Sequence, residues 1–556
     1  MQPPEHRSTL STMPIKSSIK PDVLTPPLAP EREAPGNVPA ASTPKPARKS
    51  AFTELGLKGT IEQLKEEIRE LYLADDVPWI IGYSGGKDST AVLQLTWLAL
   101  AELPQDQRRK TVHVISTDTM VENPMVASWV THSQEVMRQS AAEQKVPITP
   151  HRLTPTTEDS FWVNLIGKGY PAPRHKFRWC TSRLKISPST AFITTVVKQS
   201  GEAILLLGSR KAESQARAKV MQRHEKNRVR DRLSPNFSLP STLVYTPIEA
   251  WSNDDVWMFL MQVQNPWGYN NKDLLTMYSG ASADGECPLV VDTSTPSCGD
   301  SRFGCWVCTL VDKDKSMTAM IQNDQEKEWM MPLLELRNAL DFRPDAKHPD
   351  RTDDRHLRDF RRMNGALTLF NDRLVHGPYT QEARENWLLK LLSAQEWIRK
   401  NGPKEVRGIE LISLKELEEI RRIWVVEKHE MEDNLPRIFE EAVGTSFPGS
   451  RLDDNLVLGA DEMNLLREVC GEDRLHFEMA RELLSVERQQ RVHARRAGLY
   501  ELLEKSIGRH YYEGQEDALE MARRHANAYE GATAGQQNSA LPESGPDSEL
   551  SNEPLI

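Results

Sequence analysis

The sequence predicts an α/β protein, in which a doubly wound parallel sheet is followed by a four-cysteine loop and a helical C-terminal domain. Three short apolar runs of strand length, "PWIIGY", "TVHVIS" and "AILLLGS", alternate with segments of helical length and periodicity. Beyond about residue 309 the strand signal fades, and amphipathic helical patterns such as "ENWLLKLLSAQEWI" dominate. Ligands of a doubly wound sheet bind at the carboxyl ends of its strands, so the residues after each run are site candidates.

Each predicted element depends on a local pattern. A first helix is expected from about residue 59, because Thr60 and Gln63 form a capping-box pattern ahead of an apolar stripe. The helices that connect the strands are predicted over 91–102, 124–143 and 188–199.

Composition separates the chain into segments. Residues 1–50 hold eleven of the 36 prolines and few large apolar residues, a composition that cannot bury a core. The expected organisation is a disordered tail over 1–50, the sheet domain over 51–280, the cysteine loop over 281–312, a helical domain over 313–528 and a second disordered tail over 529–556.

The overall balance of residues bounds the class of protein. The 556 residues carry a net charge of −10, so the overall charge does not favour a polyanion partner. Such a partner could bind only to a local cluster of positive charges. Six cysteines in a chain of this length do not form a disulfide scaffold and indicate a reducing compartment. No apolar run approaches the roughly 20 residues of a membrane helix, and no signal peptide or lipid anchor is indicated. We therefore expect a cytoplasmic protein without a membrane partner.

The segment "IGYSGGKDSTAVLQL" joins a buried strand to a helix through a glycine turn. Such a turn presents backbone N–H groups, hydroxyls and one lysine to a phosphate at the helix N-terminus. A Walker A loop is excluded, since Ile81 stands where a glycine is needed and Asp88 follows the lysine. The Rossmann glycine pattern is absent too. The candidate phosphate-binding residues are Ser84, Gly85, Gly86, Lys87, Asp88, Ser89 and Thr90.

The motif SGGKDS resembles the PP-loop of the ATP pyrophosphatases, of the adenine nucleotide α-hydrolase-like fold. The resemblance implies cleavage of ATP between its α and β phosphates, with Mg²⁺ as cofactor and with Lys87 and Asp88 as catalytic residues. An ordinary turn before a helix is the alternative, but strand, motif and helix follow in the order that this chemistry needs.

Residues after the other strands extend the resemblance. Asp118 follows the second strand, where a carboxylate binds ribose hydroxyls or metal, or else caps a helix. Arg210, Glu213 and Arg217 follow the third strand within "GSRKAESQAR". Together with "RWCTSRLK" and "TPIEAWSNDDVW", these residues resemble the sulfonucleotide (PAPS) reductase branch over about residues 75–265.

A local basic region interrupts the acidic chain. Residues 168–232 contain sixteen Lys and Arg against four Asp and Glu, with Tyr170, Phe177 and Trp179 among them. This density suits a nucleic-acid backbone, although some of these cations serve a nucleotide or a solvated helix in the alternative interpretation.

Four cysteines with the spacing C-x10-C-x6-C-x2-C predict a metal centre. One CxxC pair on an irregular Gly/Pro/Ser-rich loop favours a [4Fe–4S] cluster, whereas structural zinc usually shows two pairs. Cys180 stands apart beside Arg178 and Arg183, which are expected to lower its thiol pKa; it is a catalytic sulfur carrier or else a packed thiol. Cys470 is expected in the core. The predicted metal ligands are Cys287, Cys298, Cys305 and Cys308.

Sequence segments of the helical region indicate a more specific family within the PP-loop group. "DFRRMNGAL" and "HGPYTQEARENWLLKLL" are similar to DndC-type DNA phosphorothioation sulfurtransferases, over about residues 50–525. That family implies replacement of a non-bridging oxygen of the DNA backbone by sulfur, in a bacterial, nucleoid-associated defence system. ATP would activate the oxygen, a cysteine desulfurase would supply the sulfur, and other phosphorothioation proteins would be partners.

Three alternatives remain at the level of sequence. A sulfonucleotide reductase has a catalytic cysteine near its C-terminus, and none follows Cys470 here. A tRNA thiolation enzyme of the PP-loop group shows paired CxxC motifs, and this chain has one. A non-catalytic, cluster-bearing DNA-binding scaffold does not need the intact SGGKDS loop.

Overall fold

The central sheet of the computed structural model contains six strands. The structure describes residues 50–536 other than 231, 282–303, 343–352, 454–455 and 492–497. The strands are β1 (Trp79–Gly82), β2 (Val112–Thr117), β3 (Ile148–Leu153), β4 (Ala203–Leu206), β5 (Ser234–Pro235) and β6 (Thr242–Tyr245), and a separate hairpin contains β7 (Leu369–Phe370) and β8 (Arg373–Leu374).

The order of the strands places β1 at the topological switch of the sheet. The order is β3-β2-β1-β4-β6-β5, and every pairing is parallel except that of β5 with β6. In β1, Trp79 lies opposite Val112 on one side and Ile204 on the other. The chain therefore runs outwards from β1 through β2 to β3 and then crosses back to β4. A crevice for ligands forms at such a reversal, beyond the carboxyl ends of the strands.

Sixteen α-helices lie in the described part of the chain. Those of the sheet region are α1 (Gly56–Leu73), α2 (Lys87–Ala101), α3 (Pro124–Glu143), α4 (Ser187–Ser200), α5 (Gln215–Glu225), α6 (Asn253–Gln262) and α7 (Asn271–Gly280). The later helices are α8 (Lys315–Asn323), α9 (Met331–Leu340), α10 (Gln381–Asn401), α11 (Leu414–Arg422), α12 (Leu435–Val443), α13 (Ala460–Cys470), α14 (Arg474–Arg491), α15 (Leu499–His510) and α16 (Gln515–Gln536). No helix in these described ranges is both long enough and apolar enough for a membrane crossing.

The predicted α/β class, parallel sheet and helical C-terminal region are confirmed. All three predicted strands are present, but β3 was missed because Pro150 and polar residues interrupt its apolar pattern at the edge of the sheet. The prediction for the first helix was wrong by one turn. It begins at Gly56, and the Thr60 hydroxyl donates to the Gly56 carbonyl instead of capping the helix.

Two large apolar cores support the fold. One packs α1, α2, α3 and α6 against the sheet, and it includes Trp79, Trp97 and Trp257. The other combines residues 161–184, which lie between β3 and α4, with residues from 306 to 438 of the helical region. Indole N–H groups join the two parts of this second core, since Trp162 donates to the Leu411 carbonyl over 2.8 Å and Trp424 to the Ile166 carbonyl over 3.0 Å.

Three π-helical turns occur in and around this second core. They cover Val163–Gly167, Thr181–Ile186 and Ile423–Glu427. A π turn widens the backbone locally, and such turns are frequent at functional sites. The second of them begins directly after Cys180. The tails expected over 1–50 and 529–556 lie wholly or mostly outside the described residues.

Candidate active site at the carboxyl edge of the sheet

The phosphate loop leaves β1 through a turn that only glycine accommodates. Gly85 has φ +73°, and a Cβ atom there would lie 2.4 Å from Cγ2 of Val130. Helix α2 begins two residues later at Lys87, so its free N-terminal N–H groups follow the turn directly. Because the turn residues Gly85 and Gly86 have no side chains, a ligand can approach the backbone N–H groups at the N-terminus of α2 closely.

The hydroxyl groups of the loop divide into two kinds. Ser89 Oγ accepts the backbone N–H of Ser84 over 3.2 Å and donates to the Gly86 carbonyl over 3.0 Å, and Thr90 donates to the same carbonyl over 2.9 Å. Both side chains are buried and brace the loop from within. Ser84 is exposed, so its hydroxyl is the one that faces a ligand from solvent.

Asp88 is held by two cations. Arg210 Nε donates to one of its carboxylate oxygens over 2.7 Å, and Lys87 Nζ lies 3.2 Å from the other. Arg210 is 3% exposed, and it also donates to the Trp251 carbonyl over 3.2 Å. This arrangement fixes the carboxylate at the start of α2, where a metal or a phosphate group would meet it.

The sequence analysis missed two residues that shape the loop. A Cβ atom at Gly208 would lie 2.8 Å from the backbone carbon of Asp88, so glycine lets the end of β4 approach the first turn of α2. The hydroxyl oxygen of Tyr278 accepts the Lys87 N–H over 3.4 Å, and Lys87 Nζ lies 5.6 Å from its ring centroid. The glycine directly after a strand was a usable signal, but nothing in the sequence indicated Tyr278.

Asp118 lies at the neighbouring strand end and already has a partner. Its carboxylate accepts from Arg152 Nε over 3.1 Å and from the backbone N–H of Met120 over 2.9 Å. It does not cap the following helix, because the cap of α3 is the Asn123 side chain. A ribose or metal role for Asp118 requires the Arg152 pair to open or to be part of the site.

The other predicted nucleotide contacts form a chain beside the loop. The Glu213 carboxylate accepts from the backbone N–H of Arg210 over 2.9 Å and forms an ion pair with Arg217 at the start of α5. Arg210, Glu213 and Arg217 thus lie close together, and the fold adds Asp88 to this network through the Arg210 side chain.

The CxxC turn is attached to the end of β2. The Thr119 hydroxyl lies 3.4 Å from Cys305 Sγ, and residues on both sides of the thiol pair with the chain after β2. Gly304 accepts the Asn123 N–H over 3.3 Å, and Trp306 donates its N–H to the Val121 carbonyl over 3.0 Å. Since β1 and β2 are neighbours, the thiol turn and the phosphate loop share one edge of the sheet.

Cys180 lies with the CxxC thiols, and the expectation for its pKa was wrong. Burial and the nearby charges of Cys305 and Cys308 raise the pKa of the Cys180 thiol to about 11. Arg183 pairs with Asp159, and Arg178 contacts His175, so neither arginine stabilises the thiolate. Burial also raises the pKa of Cys305, and the Lys185 ammonium partly opposes that increase.

The donor set suits an anionic metal–sulfur group. Cys305 and Cys308 share a turn closed by an N–H to carbonyl bond of 3.0 Å, with the third thiol of Cys180 nearby and with a cation at Lys185. A lysine and a hydroxyl beside these thiols would stabilise negative charge on them. Cys287 and Cys298 lie outside the described residues, and within those residues no group of three His, Cys, Asp or Glu side chains is arranged so that it could hold a metal ion. Cys470 is buried, as predicted.

The basic region is less available for a polyanion than its composition suggests. Eight of its sixteen Lys and Arg residues form ion pairs, including Arg228 with Glu249 and Arg230 with Asp75. On α5 and just after it, Lys219, Arg223 and Lys226 are exposed. The exposed turn 174–178 adds further cations around Phe177, which is 43% exposed. Exposed cations thus remain on α5 and on the turn 174–178.

A cavity of about 1260 Å³ opens beside the thiol turn. Asp118, Glu122 and Trp306 line one side of it, and residues 325–329 and 401–416 line the other. Its lining contains more carboxylates than cations, and burial raises the pKa of Glu122. A negatively charged backbone is therefore expected to approach from the α5 surface instead.

Comparison with known proteins bears on this site. Residues 78–270 match the family model of the phosphoadenosine phosphosulfate reductase domain. An uncharacterized protein of Methanocaldococcus jannaschii is 26% identical over 211 residues, which are 38% of this chain and 35% of that protein. The chain thus spans about a third of the length of this curated relative.

Two solved structures have weaker similarity. A phosphoadenylyl-sulfate (PAPS) reductase from Candida auris, in complex with phosphate, is 14% identical with a TM-score of 0.25 and covers 40% of this chain and 93% of its own. The U34-tRNA thiolase NcsA from Methanococcus maripaludis, with its [4Fe-4S] cluster, has the same identity and TM-score and covers 51% and 80%. At this TM-score neither structure informs the function of this chain.

The family match covers the phosphate loop, Asp118, Cys180 and the Arg210 network. Residues 78–270 are therefore similar to a phosphoadenosine phosphosulfate reductase domain, and this similarity supports a nucleotide-using enzyme of sulfur chemistry. The CxxC turn and the helical region lie beyond the match.

Proposed function

We propose that this protein is an ATP pyrophosphatase and sulfurtransferase that replaces a non-bridging oxygen of a DNA backbone phosphate by sulfur. The observation that carries the proposal is the contact of 3.4 Å between Thr119 and Cys305. It attaches a thiol turn to the strand next to the one that bears the phosphate loop. Nucleotide activation and sulfur chemistry thus have their groups on one edge of one sheet.

The residues of the phosphate loop support cleavage between the α and β phosphates. The N-terminus of α2, the Ser84 hydroxyl and the Lys87 ammonium favour the negative charge that develops on departing pyrophosphate. Asp88, fixed by Arg210, is placed to hold Mg²⁺ against the phosphates. In the proposed reaction the DNA phosphate oxygen attacks the α phosphorus and pyrophosphate leaves. A persulfide sulfur then attacks the DNA phosphorus, and AMP leaves with the oxygen; a thiol reductant supplies the two electrons that cleave the S–S bond and leave the sulfur on phosphorus.

The thiols support a [4Fe–4S] cluster whose ligands differ in part from the predicted set. Cys305 and Cys308 would hold it together with Cys180, and Cys287 or Cys298 would complete the four. Such a cluster, when bound, supplies electron transfer to sulfur chemistry. In this assignment Lys185 offsets the negative charge, and the buried Trp306 excludes water from one side. The immediate sulfur carrier is then a partner, of which a cysteine desulfurase is the expected one.

The surface charge supports a polyanionic substrate over a free nucleotide alone. A mononucleotide is served by the loop and the Arg210 network, and neither Lys219, Arg223 nor Lys226 belongs to that network. Solvent-facing cations on an acidic protein favour a backbone of phosphates.

Two measurements test the proposal together. Purified protein should release pyrophosphate and AMP from ATP, and Ser84→Ala should lose that release because its exposed hydroxyl faces the phosphates. Host DNA from cells with the gene should be cleaved by iodine, which detects phosphorothioates, and DNA from cells with Ser84→Ala should not. The Ser241→Ala variant is a matched control, since Ser241 is an exposed serine between β5 and β6.

The outcomes separate the alternatives. Release of orthophosphate without pyrophosphate contradicts the phosphate-loop assignment. Pyrophosphate release with iodine-resistant DNA but sulfur-containing tRNA indicates tRNA thiolation, and adenylylsulfate consumption indicates a sulfonucleotide reductase. DNA binding without ATP turnover indicates a scaffold.

A further inference from the structure

A second charged cavity lies in the helical region, and the proposed function does not use it. Its volume is about 240 Å³, and α10, α14, α15, the turn at 359–365 and the segment 427–430 surround it. We call it the α14 pocket. Eight Lys or Arg side chains and five Asp or Glu side chains line it. In a chain with a net charge of −10, such a surplus of positive charge in one pocket is unusual.

The carboxylates of the α14 pocket are already paired. Arg361 donates to Asp359 and to Glu478, both over 2.6 Å. Arg509 donates to Glu482 over 3.0 Å, and Arg384 forms a buried pair with Glu430. Glu427 pairs with Arg422 outside the pocket over 2.6 Å. All five carboxylates therefore have cationic partners.

Three cations of the pocket have no carboxylate partner within the described residues. Arg362 donates to the His376 carbonyl over 3.1 Å, and Lys168 donates to the Glu158 carbonyl over 2.7 Å. The Lys428 side chain has no hydrogen-bond acceptor in the described part of the chain. Burial and the charge of Arg384 lower its pKa to about 8, and the nearby carboxylates of Glu430, Glu427 and Asp359 partly oppose that shift. An ammonium group in such a place is costly unless an anion compensates it.

The pocket also contains unused arginine donors. Arg481 is 5% exposed, and its Nε has no hydrogen-bond acceptor, although another of its nitrogens donates to Gln381 over 2.8 Å. The Nε of Arg509 is likewise buried without an acceptor. Buried guanidinium donors are normally satisfied, but both Nε atoms are closed to solvent, so the two side chains would have to shift before a ligand oxygen could reach these donors.

We propose that the α14 pocket binds a small tetrahedral oxyanion, a phosphate or sulfate group, at a site separate from the phosphate loop. The three cations without carboxylate partners supply the charge, and the Arg362 guanidinium supplies directional donors for such oxygens. The volume is below the roughly 300–1,000 Å³ of pockets for drug-sized ligands, which favours a single oxyanion over a whole nucleotide. The proposal does not depend on the proposed function.

The experiment measures inorganic phosphate binding by calorimetry at constant ionic strength, with chloride as the balancing anion. Because the phosphate loop also binds phosphate groups, the measurement uses full-length Lys87→Met protein as the reference. We expect saturable binding in this protein, competition by sulfate, and at least a tenfold loss of affinity when Lys428→Met is added. Lys415→Met, an exposed lysine on α11, is the matched control and should change nothing.

A second readout excludes a merely structural role. Without phosphate, Lys428→Met should unfold at the same temperature as its reference or at a higher one, because it removes an uncompensated charge. If that variant does not fold, Arg362→Gln replaces it, with the same expected loss of affinity. The proposal is overturned if Lys87→Met protein shows no saturable phosphate binding, or if both variants keep it. It is also overturned if a dinucleotide phosphodiester binds and inorganic phosphate does not, since the pocket would then be a site for a nucleic-acid backbone.

Discussion

Arg210 Nε lies 2.7 Å from the Asp88 carboxylate, so the buried guanidinium that follows β4 fixes the first turn of the helix that follows β1. The Asp88 carboxylate, which we propose to be catalytic, thus also stabilises the fold. Removal of Asp88 would leave the charge of Arg210, which is 3% exposed, without its partner.

We predict that Asp88→Ala destabilises the protein by about 2–3 kcal/mol. This is below the 3–5 kcal/mol for a fully buried pair, because Asp88 is partly exposed. Asp88→Ala/Arg210→Met should recover stability without recovering pyrophosphate release. Ser84→Ala should lose release and change the free energy of unfolding by no more than about 0.5 kcal/mol. Urea denaturation measures all three, and an Asp88→Ala protein as stable as the wild type contradicts the structural role.

Gly208 should tolerate no side chain. A Cβ atom there would meet the backbone of Asp88 at 2.8 Å and displace the first turn of α2. We predict that Gly208→Ala lowers pyrophosphate release on the order of 10²-fold, as a misplacement of about 1 Å does. Gly280→Ala is the control, since no atom lies within 4 Å of its added carbon. Equal rates for the two variants would show that the contact has no catalytic consequence.

The exposed cations of α5 should bind a nucleic-acid backbone. We predict that Lys219→Gln/Arg223→Gln/Lys226→Gln weakens DNA binding for all sequences. The slope of log affinity against log salt should flatten by up to about 3, roughly 0.9 for each lost phosphate contact. Arg228→Gln/Arg230→Gln removes cations already paired with Glu249 and Asp75, so it should lower stability and leave the slope unchanged. Fluorescence anisotropy at several salt concentrations distinguishes these results. An unchanged slope in the triple variant would show that DNA does not bind at the α5 surface.

Cys180 should contribute to metal binding. We predict that Cys180→Ser and Cys305→Ser both lose iron and brown colour after anaerobic purification, whereas Cys470→Ser, a substitution in a separate apolar cluster, keeps them. Iron analysis measures the metal content of each variant, and visible absorption measures the brown colour. If Cys180→Ser keeps its iron but loses DNA modification, Cys180 is a sulfur carrier instead of a ligand. Zinc in place of iron contradicts the redox assignment.

Two histidines on neighbouring strands should make stability depend on pH. His113 Nδ1 lies 3.0 Å from His151 Nε2, a bond in which at least one ring must be neutral, and burial lowers the pKa of both rings. The folded protein therefore binds fewer protons than the unfolded chain. The contribution of the pair is fully present above the ordinary histidine pKa of about 6.5 and is lost as the pH falls below it.

The measurement is urea denaturation at pH 7.5, 6.5 and 5.5. Wild-type stability should fall over this series, and His113→Leu/His151→Leu should fall less steeply. A residual slope is expected, since the pKa of His429 and of His510 is also lowered by burial. Identical slopes in the two proteins would contradict the assignment.

Local patterns were sufficient for β1, β2, β4 and the glycine turn, because buried strands and a glycine turn depend on residues adjacent in sequence. The α3 helix was predicted to the residue, since a proline at its start marks the boundary. The pairing of Asp88 with Arg210 and the ion pairs of the basic region depend on residues brought together by the fold. The pKa of Cys180 was misjudged for the same reason, because its neighbours in space are thiols and its neighbours in sequence are arginines.

The second core also has a consequence for how the protein can be divided in the laboratory. Phe161, Trp162 and Ile166 belong by position to the sheet domain, but they bury their side chains against residues such as Leu391 and Trp424. A fragment that ends at residue 280 would expose this apolar surface to water and leave the indole N–H of Trp162 without the Leu411 carbonyl. Such a fragment should aggregate on expression, so the proposed ATP chemistry has to be tested on the full chain.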